Sequence, residues 1–145
     1  MNKILATIAG VALTVLPAAA FAASPATGSV NVSATVVAAC SISTPNALAF
    51  GNYDPSAPAG PGNNATAGES IQCTATTLYT LSVPGTASLT GPGAALSVTS
   101  VAVSPSTQQT ASGGSDPFSV SGTLAPGQYS APGNYAGSIL VSAAF

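Results

Sequence analysis

The amino-acid sequence predicts an all-β domain: an incomplete, immunoglobulin-like antiparallel β-sandwich of six strands. Three observations lead there. Small apolar and polar residues alternate along most of the chain, and nothing beyond the first residues carries helical periodicity. Pro-Gly pairs punctuate it at Pro61, Pro84, Pro92, Pro126 and Pro132. Pro presets φ at the second position of a type II turn and Gly accepts the positive φ at the third. Two cysteines, Cys40 and Cys73, lie in different strand candidates, an even count that suits a disulfide. Short alternating runs between such turns are the pattern of an antiparallel sandwich.

The first residues stand apart from this pattern. Lys3 precedes an apolar run from Ile4 to Leu16, Pro17 breaks it, and Ala20-Phe21-Ala22 offers small residues at −3 and −1. That is the order of a cleaved secretory signal, here residues 1–22. The run is short of the roughly 20 residues that a membrane span needs, which argues against a retained anchor. Residues 23–145 then suit one domain, exported to the periplasm and onward to the cell surface or beyond it.

The strands can be placed in order. Val30 to Val36 alternates with strict period two. Cys40 to Ser43 begins a strand that the pattern resumes at Leu48 to Phe50. Ser70 to Thr74 and Leu78 to Pro84 follow. Leu96 and Val98 share a face, while Val101 and Val103 are shifted by one residue, so a bulge or turn is expected near Thr99-Ser100. Phe118, Val120 and Leu124 mark the next strand. Tyr135 to Phe145 closes the chain, with Tyr135, Ile139, Val141, Ala143 and Phe145 on one face. Gly51 to Gly68 reads as one long exposed loop and Ser104 to Ser115 as a second. Ala125-Pro-Gly-Gln-Tyr129 recurs as Ala131-Pro-Gly-Asn-Tyr135, a pair of turns leading into the final strand.

Charge and cysteines restrict function. Lys3 is the only cation in the sequence, there is no His, and the acids are Asp54, Glu69 and Asp116. Nucleic acids and anionic membrane surfaces are bound through cations, which residues 4–145 do not supply. With 46% hydrophobic residues the chain should nevertheless fold, beneath a surface of Ser, Thr, Asn and Gln. An even cysteine count in an exported chain points to a Cys40–Cys73 disulfide; a metal pair, the other use of two cysteines, lacks His and CxxC support. No cofactor motif is present.

Counted from Cys40, the sandwich has six strands where an immunoglobulin-type fold has seven, leaving a groove along its apolar core. The Val30–Val36 strand lies outside the disulfide. It either folds back as the seventh strand or fills the gap in another molecule.

Cys40-Ser-Ile-Ser, then Leu48-Ala-Phe-Gly-Asn-Tyr-Asp54-Pro, resembles the opening of spore coat protein U-type domains, and Ser70-Ile-Gln-Cys73-Thr falls where that family places its second cysteine. Val120-Ser-Gly-Thr-Leu-Ala-Pro-Gly127 and Gly133-Asn-Tyr135 through Phe145 are similar to its closing strands. Gly137 stands where the family commonly carries an acidic residue, and Leu96-Ser-Val-Thr-Ser is poorer in Tyr than its usual middle strand. These domains include subunits of archaic chaperone–usher pili. The resemblance implies a sandwich domain at residues 39–145 and an N-terminal donor-strand extension at residues 23–38. Donor positions would be Val30, Val32, Ala34 and Val36, inserted into another copy by β-strand addition. The acceptor groove would involve Ile42, Tyr135, Ile139, Val141, Ala143 and Phe145. Implied partners are copies of the chain or related subunits, with a periplasmic chaperone and an outer-membrane usher during assembly. Adhesion or biofilm formation would be the purpose. A monomeric secreted or coat-associated binding module is the competing reading.

Catalysis has little to run on. Asp54 and Glu69 flank the long loop and could act as an acid–base pair, but no basic partner would separate their roles. Both read as solvated loop residues, and the acids are too few for a calcium cage. Tyr79 and Tyr135 lie in strand patterns and read as core or interface. Tyr53 and Tyr129 fall in turns, open to sugar stacking. Asn31-Val-Ser and Asn64-Ala-Thr fit the N-glycosylation pattern, against a bacterial-looking signal.

Overall fold

A computed structural model describes residues 25–57 and 63–145; the signal segment expected at residues 1–22 lies outside the described residues. The chain divides into a short unit ending at Ala34 and a second unit, Thr35–Phe145. In the first, residues 25–34 are exposed and carry no strand.

The second unit is built from β1 (Cys40–Ser43), β2 (Asn64–Cys73), β3 (Leu78–Ser82), β4 (Ala87–Leu89), β5 (Leu96–Ser104), β6 (Gln109–Thr110), β7 (Ser115–Leu124) and β8 (Ser142–Ala144). All pairings are antiparallel. One sheet has five strands in the order β1-β2-β7-β5-β4, the other three in the order β6-β3-β8. The six expected strands are all there. Two short ones join them: β4 at one edge of the large sheet and β6 at one edge of the small one.

Alternation explains the layers. Along β2, Ala65, Ala67, Glu69, Ile71 and Cys73 are buried and the residues between them are not. Phe118, Val120 and Leu124 do the same on β7, and Tyr79 and Leu81 on β3. β2 and β7 pair over nine positions, from Asn64↔Thr123 to Gln72↔Ser115, so both turn the same face inward. Ile71, Val98 and Leu124 are the most deeply buried large side chains. Each such burial contributes about 1.5–3 kcal/mol before entropy is set against it.

On β5 the phase change has a clear cause. The β5–β7 register shifts between Thr99 and Ala102, and Ser100 takes a φ of 53°. One extra residue is absorbed there, which returns Val101 and Val103 to the core face after Leu96 and Val98. Opposite, β7 has the buried Gly122, where a Cβ would come within 2.9 Å of Val98 Cγ1 and 3.3 Å of Leu48 Cδ2, which accounts for glycine there.

Four expectations need correction. The exposed stretch does not extend to Gly68, because β2 starts at Asn64 and buries Ala65 and Ala67. Small side chains hid the alternation; residues 58–62 of that stretch lie outside the described residues. Leu48–Phe50 does not resume a strand, although Leu48 and Phe50 point alternately toward the interior. The closing segment pairs as a strand only over β8, plus one bridge from Ala136 to Thr90. Gly137 passes so close to β4 that a Cβ would run into the Ser88 carbonyl, which accounts for glycine there. Finally, Ser104–Ser115 contains β6 and the buried Ala111, whose N–H donates to Thr77 O at 2.9 Å.

Cys40 and Cys73 are joined directly across the β1–β2 register, with an S–S distance of 2.03 Å. Replacing both by alanine reopens a 33-residue loop. The expected loss is about 3–4 kcal/mol, read as a lower urea midpoint. Ile71→Ala should cost about 2–5 kcal/mol in the same assay, because its neighbours on the ladder cannot close the cavity.

Candidate acceptor groove

Between the sheets, the second unit opens a groove of about 1270 Å³. Its floor is the inner face of the large sheet at Ala67, Val98, Val120 and Leu124. One wall is Ile42 of β1 with Leu48, Phe50 and Tyr53 of the following loop. The other wall is the closing segment, through Tyr135, Ile139 and Val141. The wall residues are partly buried, and Ile42, Phe50, Tyr53, Tyr135, Ile139 and Val141 pack on the core, half in and half out. Neither Leu48–Phe50 nor 137–141 is paired as a strand. Two stretches of backbone thus flank an apolar channel with ladder capacity in hand.

Specific bonds hold both walls. The Asn46 side-chain amide donates to Gly68 O, fastening the loop to β2. Tyr53 Oη donates to Ala125 O at 2.7 Å and accepts from Gln128 N at 3.0 Å. Tyr53 therefore acts as a latch between the β1–β2 loop and the turn after β7. Across the groove, Tyr135 Oη donates to Ala131 O at 2.8 Å, accepts from Gly93 N at 3.1 Å, and lies 2.6 Å from Ser130 Oγ. A Cβ at Gly91 would collide with the Tyr135 ring, so glycine there lets the ring pack directly on the backbone. The segment is further tied by Ala136 N–H to Thr90 O at 3.0 Å and Thr90 N–H to Ala136 O at 2.8 Å.

Of the residues expected at the groove, Ile42, Tyr135, Ile139 and Val141 line it. Ala143 packs on the core through β8 without lining the groove, and Phe145 is 61% exposed. Val30, Val32 and Val36 are 86%, 90% and 79% exposed, and Ala34 is exposed as well. Tyr79 is buried, whereas Tyr129 is 76% exposed.

Glu69 departs from its expected place in a solvated loop. It lies on the core face of β2, 7% exposed, and lines the groove. Its Oε2 is buried without a hydrogen-bond partner. Extending the β2 alternation upstream from Cys73 and Ile71 would have put Glu69 inside, but the turn-rich composition just before it masked the signal. The other two acids are held by neighbouring serines, Asp54 in the loop after β1 and Asp116 near the start of β7. Asp54 Oδ1 accepts from Ser56 Oγ at 2.6 Å and Ser56 N at 2.8 Å, and Asp116 Oδ2 accepts from Ser112 N at 3.0 Å. The Ser56 side-chain and backbone bonds hold the Asp54 carboxyl below its usual range, and those of Ser112 do the same for Asp116. Among the described residues no group of three metal-ligating side chains converges, and no helix is long and apolar enough to cross a membrane.

The family model of the Spore Coat Protein U domain matches residues 26–104, more than half of the chain. That span takes in the Val30–Val36 stretch and β1 to β5. No curated protein matches the chain.

Depressed carboxyl pKa values set the acid response. Asp54 and Asp116 favour the folded state while ionised, so their contribution is present above the unfolded carboxylate pKa, about 4, and is lost as pH falls through the lower folded value. Stability should be level from about pH 5 to 8 and decline below about pH 4. Urea midpoints across that range will check it, and the Asp54→Asn/Asp116→Asn variant should show a shallower acid decline.

Proposed function

The chain belongs to the spore coat protein U domain family, and from that premise we propose that it is an exported structural subunit of a surface fibre, polymerised by donor-strand exchange. The groove carries this reading. It is long, apolar, floored by the large sheet and flanked by two stretches that can accept main-chain hydrogen bonds. Val30, Val32, Ala34 and Val36 provide a strand of matching period, with the three valines exposed. Inserting that stretch into the groove of another copy would remove both apolar surfaces from water and complete the smaller sheet. Burying the four side chains contributes roughly 4–8 kcal/mol before ordering costs.

On this reading residues 1–22 direct export and are removed, residues 23–38 are the donor extension, and residues 39–145 are the acceptor domain. A periplasmic chaperone covers the groove until an outer-membrane usher exchanges it for the donor strand. The finished fibre serves adhesion or biofilm formation. An enzymatic role has no support in a chain without His and with a single Lys. The competing reading, a monomeric secreted or coat-associated binding module, predicts no polymer.

Two measurements separate them. Val32→Asp places an unpaired charge on the apolar face of the donor, so surface polymer should disappear while chaperone-bound monomer persists. Normal fibre yield would reject the extension as the link. Wild-type material in unboiled detergent should run as a ladder, alike at low and molar salt, that collapses to monomer on heating. Residues 4–145 contain no basic side chain, so side-chain ion pairs between copies cannot contribute to cohesion there. A species that runs as monomer throughout supports the binding module.

A further inference from the structure

The last residues before β1 are held by one side chain. Cys40 faces Cys73 across the β1–β2 register, so the next pair upstream would be Ala39 with Thr74. Half of that pair forms in the main chain, where Thr74 N–H donates to Ala39 O at 2.9 Å. The other half does not, because Thr74 O accepts from Thr77 N–H at 3.1 Å in the turn that leads to β3. The Thr74 hydroxyl takes the place of its carbonyl. Oγ1 accepts from Ala39 N–H at 3.2 Å and donates to Val37 O at 3.2 Å, with Ala39 O at 3.5 Å. The turn is itself fastened on its far side: Thr76 N–H donates to Ala111 O at 3.0 Å and Ala111 N–H to Thr77 O at 2.9 Å. Val37 and Ala39, both exposed, are thus secured to the body of the domain by a half-buried threonine.

Resting on the donor-strand reading, we propose that Thr74 is a positioning residue of the joint between successive copies, taking up the link between a copy's donor strand and its own domain. The donor stripe ends at Val36 and β1 begins at Cys40, so residues 37–39 connect them. Left free, three extended residues would span about 10 Å and let two copies swing about the link. Composition does not stiffen it, since Val37-Ala38-Ala39 contains no proline. The bonds do. With Val37 O and Ala39 N–H both engaged by Thr74, the slack is taken up and the pivot is confined to Val36 and Val37. Position 74 needs a group that accepts and donates at once, which a hydroxyl provides. Valine has the same branched shape without it, and serine keeps it.

The test compares T74V, T74S and wild type, each as the exported full-length gene product. Amide hydrogen exchange is read on the folded monomer and persistence length on electron micrographs of the fibres. In T74V the Ala39 amide should exchange about tenfold faster, the factor that one lost net hydrogen bond allows. T74V fibres should have a persistence length about half that of wild type or less, because the link regains its slack. T74S should match wild type in both readings. Urea midpoints verify that each variant folds, and T74A replaces T74V if that variant folds poorly. An unchanged Ala39 amide in the T74V variant, or T74S behaving as T74V does, overturns the clamp. A faster Ala39 amide in fibres as stiff as wild type overturns the joint role and leaves the subunit reading intact. A wild-type chain that forms no fibre removes the subunit reading and the joint role with it.

Discussion

A five-stranded sheet with an apolar inner face cannot be covered by three short strands. β2, β5 and β7 are nine or ten residues long, whereas β3, β6 and β8 have five, two and three. The remaining inner face is met by loop residues such as Phe50 and by the half-buried closing segment. Every other feature of the groove follows from this mismatch. The Tyr53 latch and the Tyr135 hydroxyl network hold the walls apart at fixed positions, and glycine at 137 lets the closing segment lie against β4.

Much of this was legible in the residues. Alternating apolar residues placed β3, β5, β7 and the second half of β2, and the one-residue offset between Val98 and Val101 located the bulge. Legibility failed where side chains were small or where backbone pairing depended on tertiary partners. Ala65 and Ala67 alternate as cleanly as Ile71 and Cys73, but alanine weighs little in a reading built on hydrophobic bulk. Leu48 and Phe50 have strand-like spacing, yet spacing reports which way side chains point and not whether a neighbour exists to close the ladder. Ile139 and Val141 show the same gap between face and pairing.

The groove was partly visible too. A count of one strand too few pointed to it, and the family resemblance implied Ile42, Tyr135, Ile139 and Val141 among its residues. Glu69 was the residue least readable in advance. A carboxylate beside a Gly- and Asn-rich stretch is ordinarily a solvated loop residue, and only the register of β2 against β7, with Glu69 opposite Phe118, turns it inward.

The disulfide also determines how the domain would bear tension. A pull along the N-terminal segment enters the sandwich at Cys40, the first residue of β1. From Cys40 the force passes through a covalent bond to Cys73, at the end of the long β2 strand, instead of through the hydrogen bonds of Ser41 to Ser43. The four-residue edge strand is therefore spared from being peeled off residue by residue. The load is handed to the β2–β7 ladder, where nine pairs must shear together before the sheet gives way. Stapled this way, a marginal edge becomes an anchor point, and the domain gains tensile strength at the place where a seam of only four pairs would otherwise tear.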